Sequence, residues 1–160
     1  MKKKGTYYIA YGSNLNIRQM RHRCPGAVPV GVGYLKGWEL FYAGSKTGNY
    51  ATIRKKKGKI VPVGVWKVSD DNIEALDRYE GYPGFYYKDH LLVHMVTQEH
   101  DLRGLVYIMN PLAKAGIPSP GYVAVCREGY RDFGIAERLL DESLQAAGFK
   151  YPDSISWDMW

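Results

Sequence analysis

The chain has 160 residues, 46% of them hydrophobic and 14% aromatic, and a formal net charge of +6. That length and apolar content suit one globular domain over 1–160, which buries roughly two thirds of its unfolded surface. No stretch approaches membrane-spanning length, and no apolar run near the start leads to a cleavage site.

In chain order, Thr6–Tyr11 reads as a first strand and Asn16–Arg23 as a short helix. Strand-like runs follow at Val28–Tyr34, Glu39–Ala43, Ala51–Arg54 and Ile60–Val68. The basic run Arg54-Lys55-Lys56-Lys57-Gly58-Lys59 between the last two reads as a solvated hairpin tip. Ser69 is placed to cap a helix that Gly81 ends. Strands at Tyr86–Val96 and Arg103–Met109 come next, with His94 on an exposed face. Ser119 caps a further helix with Pro120 at its first position and Tyr122, Cys126, Tyr130 and Phe133 on one stripe. A last helix carries Ile135, Leu139, Leu140 and Leu144 and stops at Gly148. Many strands joined partly by hairpins predict an α+β fold, its sheet mixed or antiparallel with helices packed around it. The segment 151–160, ending Trp157-Asp158-Met159-Trp160, is a tail of unassigned role.

Two segments carry chemistry. In Tyr11-Gly12-Ser13-Asn14-Leu15, Gly12 lets the backbone approach a ligand closely, and Asn14 or Asn16 can cap the following helix. Consecutive N–H groups at a helix start suit an anion. In Leu76-Asp77-Arg78-Tyr79-Glu80-Gly81, helical periodicity puts Glu80 on the stripe of Ile73 and Leu76. The aromatic stretch Tyr82 to Tyr87 is able to wall it in. Desolvation there would raise its pKa toward neutrality, as a general base requires.

Together these segments resemble the gamma-glutamylcyclotransferase family, whose hallmarks are a Tyr-Gly-Ser-Asn-Leu loop after the first strand and a Glu in Leu-Asp-x-x-Glu-Gly. Pro118-Ser119-Pro120-Gly121-Tyr122 adds a likeness to the Pro-Ser-x-x-Tyr helix of longer members. The resemblance spans Tyr8 to about Leu144. It implies a mostly antiparallel sheet curled into a small barrel, and cyclisation of a gamma-glutamyl amine or peptide to 5-oxoproline. It implies Glu80 as the acid–base catalyst, with no cofactor and no metal. Tyr11, Gly12, Ser13, Asn14 and Leu15 would bind substrate, with Tyr8, Tyr86, Tyr87 and Tyr122 as pocket walls. Tyr87-Lys88 stands where relatives often show Tyr-Arg, which leaves open whether Tyr86 or Tyr87 lines the pocket.

The partner expected is a small gamma-glutamyl substrate, with no membrane. A non-catalytic metabolite-binding module on the same fold is the alternative. A nucleic-acid-associated protein ranks below it, because no binding motif accompanies the basic clusters. His22, His90, His94 and His100 show no tight metal spacing. Cys24 and Cys126 favour free thiols in a reducing cytoplasm, with a disulfide left open. The leaving amine and the oligomeric state are not legible.

Overall fold

The computed structural model describes residues 5–45 and 47–151. All of the C-terminal tail except Tyr151 lies outside the described residues. Strands are β1 (Thr6–Ala10), β2 (Val28–Ser45), β3 (Gly48–Val68), β4 (Tyr86–Met95), β5 (Leu102–Met109) and β6 (Lys114–Ala115). Helices are α1 (Ile17–Arg23), α2 (Asp70–Tyr79), α3 (Pro120–Asp132) and α4 (Glu137–Ala147), with a 3-10 turn at Ser13–Leu15.

Five strands close into a mixed barrel in the order β3-β1-β5-β4-β2, and β2 pairs back onto β3. β6 adds outside the ring, on β2. The pairings are antiparallel except β1 with β5, which run parallel at Tyr8↔Leu105. The barrel with surrounding helices is the α+β architecture expected. β3 is buried on both faces over residues 61–66. Val61, Val63 and Val65 are fully buried on one face. On the other, Trp66 packs edge-on to Phe133 at 5.5 Å between ring centroids.

That second face positions the loop after β1. A Cβ at Gly64 would lie 2.6 Å from the Phe133 ring and 2.8 Å from Leu15, so glycine lets both close over the strand. A Cβ at Gly129 would lie 2.6 Å from the backbone of Leu15, so α3 presses directly on the loop. The Trp66 indole N–H donates to the Asn14 carbonyl at 2.9 Å. Asn16 caps α1 and donates from its amide to the Val125 carbonyl and the Glu128 carboxylate on α3. Full burial of a Leu side chain such as Leu15 stabilises by about 1.5–3 kcal/mol. The loop is thus clamped from three sides.

The helices start and stop on local chemistry. Ser69 accepts from the Asn72 N–H, and the Asn72 side chain accepts from the Ser69 N–H, a reciprocal capping box. Gly81, at φ +62, terminates α2. Ser119 caps α3 with Pro120 in its first turn, and Gly148, left-handed at φ +83, ends α4.

One expectation is corrected. The basic run is not a hairpin tip. β2 and β3 form one long hairpin that turns at Ser45↔Gly48, and Arg54–Lys59 lies in mid-strand. The register jumps there, from Lys36↔Ile60 to Trp38↔Lys55, so residues 56–59 bulge out opposite Gly37. Gly37 and Gly58, both at φ +82, absorb the bend. Glu80 is the C-cap residue of α2, still in helical backbone geometry, and donates its N–H to the Leu76 carbonyl, one turn back on the same face.

Candidate active site

A cavity of about 250 Å³ opens where the loop after β1 meets the end of α2. Its walls include Tyr8, Tyr11, Gly12, Ser13, Asn14, Glu80, Tyr86 and Tyr122. Four strands, the loop and two helices contribute, so the barrel must close before the site exists.

Glu80 is the charged side chain among the lining residues. It keeps some solvent contact through the cavity mouth, yet protein surrounds its carboxyl. Burial pushes its pKa from the usual 4.5 up to about 7, and the Arg23 guanidinium pulls the other way. Asn14 reaches toward it: the amide Nδ2 donates to the Tyr8 hydroxyl at 2.8 Å and lies 3.5 Å from Glu80 Oε1.

The tyrosine walls are anchored. Tyr11 donates its hydroxyl to the Tyr107 carbonyl at 2.6 Å, and Tyr86 donates to the Ala51 carbonyl at 2.9 Å. The Tyr122 hydroxyl accepts from the Ala51 N–H at 3.0 Å. Tyr107 donates to Asp77 on α2, which also pairs with Lys88. Burial first, and the Glu80 charge second, push Tyr8 and Tyr11 above the usual tyrosine range. Burial does the same to Tyr86 and Tyr122. These hydroxyls stay protonated, leaving Glu80 as the wall group that titrates near neutrality.

The loop backbone has unspent donors. The Leu15 N–H bonds the Gly12 carbonyl and the Asn16 N–H bonds the Ser13 carbonyl. The N–H groups of Gly12, Ser13 and Asn14 donate to no described residue. A Cβ on Gly12 would lie 3.0 Å from the Tyr122 hydroxyl and 3.1 Å from Ala51 Cβ, at the cavity wall. Ser13 Oγ lies 3.5 Å from the Arg23 guanidinium, a group that cannot take a proton from it.

Two residues expected to bind substrate lie elsewhere. Leu15 is 0% exposed and packs in the core under α3, away from the cavity. Tyr87 is 37% exposed on the opposite face of β4, because successive strand residues alternate sides; Tyr86, 6% exposed, is the one turned to the cavity. Sequence reasoning missed Tyr50 and Ala51 on β3, Tyr79 before Glu80, and Tyr107 on β5. The count of fourteen tyrosines was the signal for the three tyrosines, without a position attached, and Ala51 had none.

Among the described residues, no three His, Cys, Asp or Glu side chains come together to hold a metal. Cys24 and Cys126 are free and buried, their thiols pushed up by burial to about 11 and about 12. No described helix is long and apolar enough to cross a membrane.

The family model for gamma-glutamyl cyclotransferase, AIG2-like, matches residues 8–124. The chain belongs to the gamma-glutamyl cyclotransferase family. It is similar to the human gamma-glutamylcyclotransferase, 32% identical over 136 residues, covering 80% of this chain and 71% of the relative. The mouse gamma-glutamylcyclotransferase is 27% identical over 159 residues, 95% of this chain and 84% of its own. A solved structure named gamma-glutamyl cyclotransferase superposes with a TM-score of 0.81 at 27% identity, covering 94% of this chain and 90% of that one. The family-matched span contains the loop, Glu80, Tyr86 and Tyr122, and so every expected site residue that lines the cavity.

Proposed function

We propose that this member of the gamma-glutamyl cyclotransferase family cyclises the gamma-glutamyl group of a small amine or peptide to 5-oxoproline, with Glu80 as its acid–base group. What carries this is a buried carboxyl, raised by desolvation to about 7, in a cavity also lined by Gly12, Ser13 and Asn14, whose backbone N–H groups donate to no described residue.

The chemistry is intramolecular. The substrate's alpha-amine attacks its own gamma-carbonyl carbon, forming the ring C–N bond and a tetrahedral oxyanion. Glu80 takes the proton from the attacking amine and returns it to the amide nitrogen, whose bond to carbon then breaks. The amine leaves and 5-oxoproline remains. The N–H groups of Gly12, Ser13 and Asn14 are the donors available for the oxyanion or the substrate carboxylate. Tyr8, Tyr11, Tyr86 and Tyr122 wall the pocket, and their anchored hydroxyls hold it to one shape. Amine and carbonyl already share one molecule, so selecting the attacking conformer supplies most of the advantage. The cavity volume of about 250 Å³ lies just below the roughly 300–1,000 Å³ range of small-ligand pockets, which suits a compact glutamyl head.

This reading takes 1–160 as one domain with its tail from 151, and free buried thiols support a reducing, cytoplasmic setting. The test is a panel of gamma-linked and alpha-linked glutamyl dipeptides and gamma-glutamyl amines, with and without chelator. In the alpha-linked substrates the amine sits beside the scissile carbonyl and cannot close a five-membered ring onto it. We expect 5-oxoproline from gamma-linked substrates alone, unchanged by chelator. Free glutamate as product would make the protein a hydrolase, and binding without turnover would make it a metabolite-binding module.

A further inference from the structure

The group that holds the oxygen end of the Asn14 carboxamide is Arg23, the last residue of α1. Its Nη1 donates to Asn14 Oδ1 at 2.6 Å, and its Cζ lies 3.2 Å from the centroid of the Tyr79 ring. The Gln19 amide approaches the same Asn14 oxygen at 3.5 Å. A guanidinium has donors and no acceptor, so it can face only the oxygen of a carboxamide. That settles the amide's orientation: with Oδ1 held by Arg23, Nδ2 must point at Tyr8 and Glu80. The stack on Tyr79 holds the guanidinium in turn, and Tyr79 is the chain neighbour of Glu80.

We propose that Arg23 is a positioning residue for the Glu80 chemistry, fixing the Asn14 carboxamide against Tyr8 and Glu80 and supplying the balancing cation for the ionised carboxylate. The proposal rests on Glu80 being the working acid–base group. The groups that face Glu80 are Tyr8 and Tyr11 from β1, Asn14 from the loop, Tyr79 from α2, Tyr86 from β4, Tyr107 from β5 and Arg23 from α1. The tyrosines are held protonated by burial, so they carry no charge that could offset the carboxylate. Arg23 is the group that opposes the desolvation of Glu80. Removing it leaves desolvation unopposed, so Glu80 would take up its proton at higher pH and be a base over a narrower range.

The test uses the full chain with Arg23→Met and Arg23→Lys. Two readouts are taken: kcat/KM against pH on gamma-glutamylalanine, and the ionisation of Glu80 by NMR of carboxyl-labelled glutamate, assigned by its loss in Glu80→Gln. Arg23→Met should move the Glu80 midpoint up by about one pH unit, the low end of what a neighbouring opposite charge does. Below the midpoint that lowers kcat/KM about tenfold, recovered at alkaline pH. Arg23→Lys should keep the midpoint near wild type. If Arg23→Met does not fold, Arg23→Gln removes the charge while leaving a donor for Asn14. An unmoved NMR midpoint in the neutral variants overturns the proposal. A moved midpoint with an unmoved activity profile supports Arg23 as the partner of Glu80 and rejects Glu80 as the base.

Discussion

A buried acid that must ionise to work should weaken the fold that holds it. Glu80 titrates near 7 in the folded chain because burial penalises its charged form. A carboxyl raised in the folded state binds its proton more tightly there than in the unfolded chain. Its contribution to stability is therefore full below about pH 4.5 and is lost as pH rises through about 7. The interval from 4.5 to about 7, at about 1.36 kcal/mol per pH unit, amounts to ~3 kcal/mol. Glu80→Gln removes the charge and keeps the shape, so it should match wild type near pH 4.5 and become the more stable protein above pH 7. For a chain of this size ~3 kcal/mol corresponds to roughly 6–12 °C in Tm. Thermal melts of both proteins by circular dichroism, from pH 4.5 to pH 9, read this directly. A Tm difference that stays constant across that range would refute the argument, because it would mean that ionising Glu80 costs the fold nothing.

The same variant should lose about 10²–10⁴-fold in kcat, the usual contribution of general acid–base transfer, and wild-type kcat/KM should rise with pH through a midpoint near 7; an acid limb near 4.5 would contradict the site. Gly12→Val forces carbon into the contacts at Tyr122 and Ala51, so KM should rise and stability fall by about 1–3 kcal/mol. Ser13→Ala should stay within about fivefold of wild type, because general-base help to a serine nucleophile, worth about 10²-fold or more, is not in play; abolished activity in a folded Ser13→Ala would bring that nucleophile back. Tyr87→Ala should leave kcat/KM within about twofold. Tyr86→Phe should cost about 1 kcal/mol of stability through the lost bond to the Ala51 carbonyl, read by denaturant unfolding.

Helix ends were legible because their causes lie within a few residues. Ser69 with Asn72, Ser119 with Pro120, and Gly148 each act on the turn beside them. The 54–59 segment was misread because its cause lies across the sheet: β2 pairs it, and Gly37 on the partner strand permits the register jump. Gly48-Asn49, beside the true turn, was the local hairpin signal that the lysines overshadowed. The loop and Glu80 were recognisable as motifs, but their sidedness was not. Leu15 looks like a ligand contact in the motif and is buried under α3, which arrives more than a hundred residues later in the chain. Tyr86 and Tyr87 could have been separated by strand alternation only once the start of β4 was known. Arg23 stands among Arg18, Arg21 and His22 in the sequence with nothing local to single it out, because its partner, Asn14, sits on a preceding turn whose geometry the pattern does not reveal.

The central claim is that the substrate's own amine, and not water, breaks the gamma-glutamyl bond. The measurement is the product of gamma-glutamylalanine turned over in ¹⁸O-labelled water, read by mass spectrometry beside a Glu80→Gln control. The account predicts one alanine released per 5-oxoproline, no ¹⁸O in the 5-oxoproline, and little turnover by the control. Glutamate carrying ¹⁸O in its gamma-carboxyl would contradict it.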